Sequence, residues 1–356
     1  MSGRRRAAVG AVAGAGGLSL VVGVVTAHEE YVVDEAHDVD RTEFYREALT
    51  EPTVAGPLLV GGLTVLLAVA AYYRWRPLRA DVAAFRAAME EYERFVPWLL
   101  RISLGIPLIG AGFGGYFVSP AVEVELRLLQ VALGSLILFG LATRLVALVT
   151  LGAYLVGVAL ETTLLLQLEF VGGLLAIALV GSGRPSADHT LQRIAEAPGT
   201  VYGRIDVVSD RAESFQAWAR PAERYLPTVV RVGLGVTFVY LGLTQKLLDP
   251  GLALAVVDRY DLTAMTPFDP ALWVLGAGLA EVVLGVALLA GVLTRGVAVA
   301  ALAVFTLTMF ALPDDPVLAH VGLFGMASVV LILGAGPRSI DAWLEGRRST
   351  DGPSEE

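Results

Sequence analysis

Ten stretches of this chain approach the length and apolarity needed to cross a lipid bilayer, and no other feature narrows the fold as far. They run over residues 7–27, 53–73, 98–118, 128–143, 145–166, 168–182, 229–246, 272–293, 296–312 and 317–336. A spanning helix needs about 20 apolar residues, and in hydrocarbon every backbone polar group has to bond within the chain. Several stretches are short or interrupted, so nine or eight spans also fit the pattern. None shows the two-residue alternation of a membrane barrel strand. The expectation is an all-α polytopic membrane protein of about ten transmembrane helices. The overall balance agrees, with 55% of residues hydrophobic and 17% charged.

Basic residues set the expected orientation. If the spans alternate, Arg4–Arg6, Arg74, Arg76, Arg79, Arg144, Arg184, Arg193, Arg204, Arg295, Arg338, Arg347 and Arg348 share one side. Arg41, Arg46, Arg127, Lys246 and Arg259 take the other. The positive-inside rule then predicts a multi-pass plasma-membrane protein with both termini in the cytoplasm. The net charge of −9 comes partly from residues 28–51 and the tail and gives no footing for nucleic acid. An acidic bias with Arg nearly replacing Lys suits a salt-adapted, archaeal-like composition. The chain has no cysteine, which excludes disulfides, thiol catalysis, iron–sulfur ligation and thiolate metal sites. Residues 1–27 have the outline of a secretory signal ending at Val25-Thr26-Ala27. Their apolar run is as long as a full span, which favours an uncleaved anchor over a cleaved signal.

Within this pattern one passage is written twice. Phe85–Pro97 (FRAAMEEYERFVP) and Phe215–Pro227 (FQAWARPAERYLP) align at an offset of 130, and the match continues through Arg101/Arg231, Gly105/Gly235, Gly112/Gly242 and Pro120/Pro250. After an extra stretch in the second copy the offset becomes 151, where Gly140–Arg144 meets Gly291–Arg295. An internal repeat bounds the architecture. The expected organisation is a two-span hairpin with an external acidic loop (1–80), a first four-helix bundle (81–186), a cytoplasmic linker (187–214), a second bundle (215–340) and a disordered tail (341–356). Each bundle opens with apolar residues at helical spacing, Val82, Phe85, Met89, Tyr92 and Phe95 in one and Phe215, Trp218, Ala222 and Tyr225 in the other. That spacing suits a helix in the membrane interface. Four spans per copy make the repeats parallel, which argues against the inverted-repeat transporter plan.

The copies differ where charge is concerned. Gly115-Tyr116 stands opposite Gln245-Lys246, and Gln130 opposite Glu281. Lys246 is the only lysine among 26 basic residues. It is read either as a snorkelling cation at a helix end or as a contact for an anion or quinone headgroup. Glu281 falls about 13 Å into its span at 1.5 Å per residue. There an ionisable group is a site candidate, while a polar lock between helices is the plain alternative. Its expected partner is Lys246, or Arg231 from the other side. His320 is the one histidine placed in a span, so two axial haem ligands are not available in the membrane; it is a candidate proton shuttle. Glu169 falls at or beside the matching position in the first copy. His28, His37 and the acidic residues around them are expected to be a solvated loop, with a metal site as the minor reading. Gly-rich runs such as Gly110–Gly114 are read as helix-packing surfaces.

Residues 229–250 (VVRVGLGVTFVYLGLTQKLLDP) and 278–295 (GLAEVVLGVALLAGVLTR) resemble the four-helix membrane domain of the DoxX family. The resemblance rests on Arg231 and Gly235, Gly242 and Lys246, Glu281, and Gly291, Thr294 and Arg295. It is weaker over 98–186, where the Lys and Glu are missing, and does not extend to residues 1–80. The family is named after membrane subunits linked to a terminal oxidase and to thiosulfate:quinone oxidoreduction. The resemblance therefore implies a fold first and a function second. The expectation is a membrane subunit of a quinone-linked redox or respiratory assembly. Glu281 and His320 would handle protons, and Lys246, Gln245 and Arg231 would bind the substrate. No intrinsic cofactor or metal is expected; quinone is the candidate small molecule, and the bilayer and redox subunits are the candidate partners. A non-enzymatic scaffold and a small-solute transporter are the alternatives.

Overall fold

The structure, a computed structural model, describes residues 33, 36–201, 220–265 and 268–350. The expected first span (7–27), His28 and most of its acidic neighbours, and Phe215 and Trp218 lie outside the described residues. Six described helices are long and apolar enough to cross a membrane. They are α2 (Pro52–Trp75), α4 (Val96–Gly114), α6 (Thr143–Leu160), α9 (Leu226–Leu241, continued by a π-turn to Leu247), α11 (Pro270–Ala290) and α12 (Thr294–Ala311). Shorter apolar helices fill three more of the expected windows: α5 (Arg127–Phe139), α7 (Glu169–Val180) and α13 (Val317–Leu333). The remaining helices are polar or short: α1 (Arg41–Thr50), α3 (Arg79–Glu90), α8 (Ala187–Glu196), α10 (Pro250–Arg259) and α14 (Ile340–Thr350).

Three details depart from the sequence-based expectation. A small hairpin, β1 (Tyr116–Phe117) and β2 (Ser119–Glu123), follows α4. The segment expected to be a plain linker from residue 187 begins with α8. The expected disordered tail from residue 341 begins inside α14. Both helices start on a cap that a polar linker also contains: Ser186 accepts from the His189 N–H, and Ser339 from the Ala342 N–H. Such caps satisfy the orphan donors of a first turn.

Each cap is followed by an aspartate that ties the helix to its bundle. Asp188 accepts from the Ala142 and Thr143 N–H groups and the Thr143 hydroxyl. Asp341 does the same for Leu293 and Thr294. Ala142 and Leu293 are both left-handed (φ 49° and 48°), so these turns hold matching strain. Arg101 donates to the Ser182 and Pro185 carbonyls at 2.5 and 3.0 Å. Arg231 donates to Ala335, Arg338, Leu288 and Leu289. Ala335 and Arg338 stand 153 residues after Ser182 and Pro185, as Asp341 does after Asp188. Such pairs are what an internal repeat would leave.

The bundles meet reciprocally. The first helix of one packs on the last helix of the other, α4 on α13 and α9 on α7. At one crossing Gly172 faces Gly233, where an added Cβ would lie 2.6 Å from the opposing Cα. At the other, Ser103 fills the space in front of Gly325. Small residues let helix backbones close without a water-driven force, which the bilayer does not supply. Leu104, Leu234, Met326 and Val330 are fully buried along this seam and belong to one apolar core shared by both bundles. By contrast, α2 lies at the edge, with 6% of its apolar window buried.

Candidate functional site

The π-turn decides where Lys246 points. Over Gly242–Leu247 the helix widens, with the Leu248 N–H bonded to the Leu243 carbonyl five residues back. Turns of this kind break the register of an α-helix and often mark functional positions. Gly242, at the start of the turn, lets α9 and α11 close on one another, because a Cβ there would meet the Gly278 carbonyl at 2.8 Å. The Leu247 carbonyl receives the Tyr45 hydroxyl at 2.6 Å. Thus α1, which no sequence motif connected to the site, braces the turn that carries Lys246.

Lys246 Nζ lies 3.1 Å from Glu281 Oε2. Glu281 is near the middle of the 21-residue α11, so the half-buried pair joins two apolar helices. The second pair is Asp315 and His320, with His320 Nε2 3.5 Å from Asp315 Oδ2 and both side chains under 9% exposed. His320 Nδ1 lies 3.3 Å from the Pro316 carbonyl, which only accepts. That contact places a hydrogen on Nδ1. Nε2 then faces the Asp315 carboxyl, and the two groups form an acid–base pair. Burial pushes the Asp315 carboxyl above its ordinary range, opposed by His320 and Lys246.

One cavity of about 90 Å³ touches both pairs. Phe238, Phe305, Leu241 and Leu323 supply its apolar wall, and Thr237 and Thr308 add hydroxyls. Val256 of α10 and Leu312 also line it, and Val33 packs against the same two residues from outside. Thus α10, in the extra stretch of the second copy, contributes to the cavity wall.

Of the five residues expected at the site, the structure brings together Lys246, Glu281 and His320. Gln245 is buried on the π-turn but does not line the cavity. Arg231 is elsewhere: fifteen residues down the same helix, its donors are engaged by four carbonyls. It is a structural clamp and pairs with neither Glu281 nor a ligand in the cavity. Sequence reasoning missed Asp315, although it sits in the Pro313–Pro316 turn five residues before His320. It also missed Tyr45. Among the described residues no cluster of three or more His, Asp or Glu side chains is arranged to hold a metal.

In the first bundle the equivalent polar contact survives without charge. Gln130 is buried and donates to the Leu108 and Tyr116 carbonyls at 3.2 and 3.1 Å. Tyr116 stands opposite Lys246 in the repeat, so the same two positions still touch. At the offset of 153, Gln167 rather than Glu169 is the counterpart of His320.

Helices of this length and apolarity, packed through small residues, define a polytopic α-helical membrane protein. Residues 226–321 match the model of the DoxX family, so this part of the chain is similar to a DoxX domain. The match contains Lys246, Glu281, Asp315 and His320 and leaves the first bundle and the hairpin outside. No curated protein and no solved structure is significantly similar to the chain.

Proposed function

We propose that the chain is a plasma-membrane subunit of a quinone-linked redox or respiratory assembly, with its proton-handling site in the DoxX domain. The observation that carries this reading is the meeting of two acid–base pairs, Lys246–Glu281 and Asp315–His320, on one cavity. Ionisable groups inside a bilayer are costly and are retained where protons or ions are handled. Oxidation of a quinol releases two protons and two electrons. Glu281 and the Asp315–His320 pair would each take up one of the two protons, and a redox partner subunit would accept both electrons.

The cavity also limits the reading. Ligand pockets usually run to about 300–1,000 Å³, whereas this one has about 90 Å³. That is room for roughly three waters at about 30 Å³ each. A quinone would keep its ring among the apolar side chains at the cavity mouth and reach Lys246 with one carbonyl oxygen.

The test is native purification followed by mass spectrometry and an absorption spectrum, repeated with Lys246→Ala. Co-purified quinone that falls at least tenfold in the variant, together with a redox subunit, is the expected result. Absence of both from the wild-type protein would sink the redox reading and favour a scaffold. The mostly exposed apolar length of α2 is the surface a scaffold would use. A scaffold predicts that Glu281→Gln leaves function intact.

A further inference from the structure

The first bundle holds a buried acid of its own. Glu169 opens α7, is 2% exposed, and its Oε2 has no hydrogen-bond partner. None of the ion pairs among the described residues includes it. The neighbouring hydroxyls are committed elsewhere: Ser103 donates to the Leu99 carbonyl and Tyr154 to the Leu164 carbonyl. Its stem packs on α13, where the Glu169 Cγ lies 3.6 Å from the place a Gly322 Cβ would take, as does the Ser103 carbonyl oxygen. Glu169 is thus in the seam between the bundles. Two residues earlier, Gln167 is also buried and both of its amide atoms lack partners.

An ionised carboxylate with no counter-charge is strongly disfavoured in such surroundings. A bound proton removes the charge and converts one acceptor oxygen into a donor. We propose that Glu169 is a second proton-binding site, in the inter-bundle seam and separate from the Asp315–His320 pair. The two sites share α13. His320 projects from it toward the cavity, while Gly322, two residues on and roughly opposite on the helix, makes room for Glu169. Gln167 marks where ordered water would connect the acid to the end of the bundle. The site does not depend on quinone chemistry.

Infrared spectroscopy of the full chain in lipid tests this. At neutral pH the wild-type protein should show a protonated-carboxyl stretch that shifts in heavy water, and Glu169→Gln should remove the part due to one carboxyl. An unchanged band in a folded Glu169→Gln protein overturns the proposal. Should that variant not fold, the wild-type protein is treated with the apolar reagent dicyclohexylcarbodiimide, which reacts with protonated carboxyls, and the adduct is mapped. Labelling of Glu169 that declines as pH rises and ignores sodium supports the site. No adduct at Glu169, or protection by sodium at constant pH, overturns it, the latter by showing a metal cation in the proton's place.

Discussion

The two bundles solve the same packing problem with different polar groups. Both are closed at one end by an arginine on backbone carbonyls and an aspartate on a left-handed turn. At the other end they diverge. The first bundle turns through a short β-hairpin, and its Gln130 holds the Tyr116 carbonyl. The second passes through a π-turn and α10, and its Glu281 holds Lys246. The neutral amide joins the two elements through its NH2 group, while its oxygen has no partner among the described residues. A half-buried ion pair performs the same joining at some desolvation cost, and that cost is a sign of use. The seam supplies the exception, because the apparently neutral bundle carries Glu169.

The largest test of this comparison lies at the shared end. Arg231→Ala leaves four carbonyls without their donor, and hydrogen bonds to charged groups are worth about 1.5–3 kcal/mol each. We expect a loss of about 4 kcal/mol or more, read as a collapsed yield of monodisperse protein, with Arg101→Ala milder. Equal losses would show that the extra carbonyls on Arg231 add nothing. Next in size, Glu281→Leu removes the carboxylate from the partly exposed Lys246 contact and should cost about 1.5–3 kcal/mol. The double variant with Lys246→Met should recover most of this, as measured by thermal denaturation in detergent. Gln130→Leu in the first bundle should cost only about 1–2 kcal/mol. If the two single variants cost the same, the charged and neutral contacts are equivalent and the asymmetry has no energetic content.

The smallest effect is a pH dependence. The Asp315 carboxyl is raised by burial, against the influence of His320 and Lys246, so the folded state holds its proton more tightly than the unfolded chain. Its contribution is present below the unfolded value of about 4 and is lost as pH rises through the folded value. Acidification from pH 7 towards 4 should therefore raise the melting midpoint of the wild-type protein relative to Asp315→Asn. A parallel response in the two proteins would place Asp315 outside the pair.

Much of the candidate site was legible because its residues break a local rule. Lys246 stands out among arginines, Glu281 interrupts an apolar run, and His320 enters one. Arg231 broke the same rule and was misassigned. Its chemistry is that of a site residue, and only the carbonyl ends of α11 and the turn before α14 show that its donors are consumed. Asp315 was invisible for the opposite reason, since an aspartate between prolines in a turn is unremarkable until the fold buries it against His320. Tyr45 lies 202 residues from the carbonyl it braces, and no spacing argument reaches that far.

The sequence by itself determined what is set residue by residue along the chain: which segments enter lipid, where they turn, and that a passage recurs. Those outcomes follow from local transfer free energies and from backbone hydrogen bonds closed within each helix. The tertiary structure alone decided which charges meet, since pairing depends on the crossing of helices far apart in sequence. It placed Lys246 on Glu281 through a π-turn, held Arg231 to carbonyls, and left Glu169 Oε2 in the seam without a hydrogen-bond partner among the described residues.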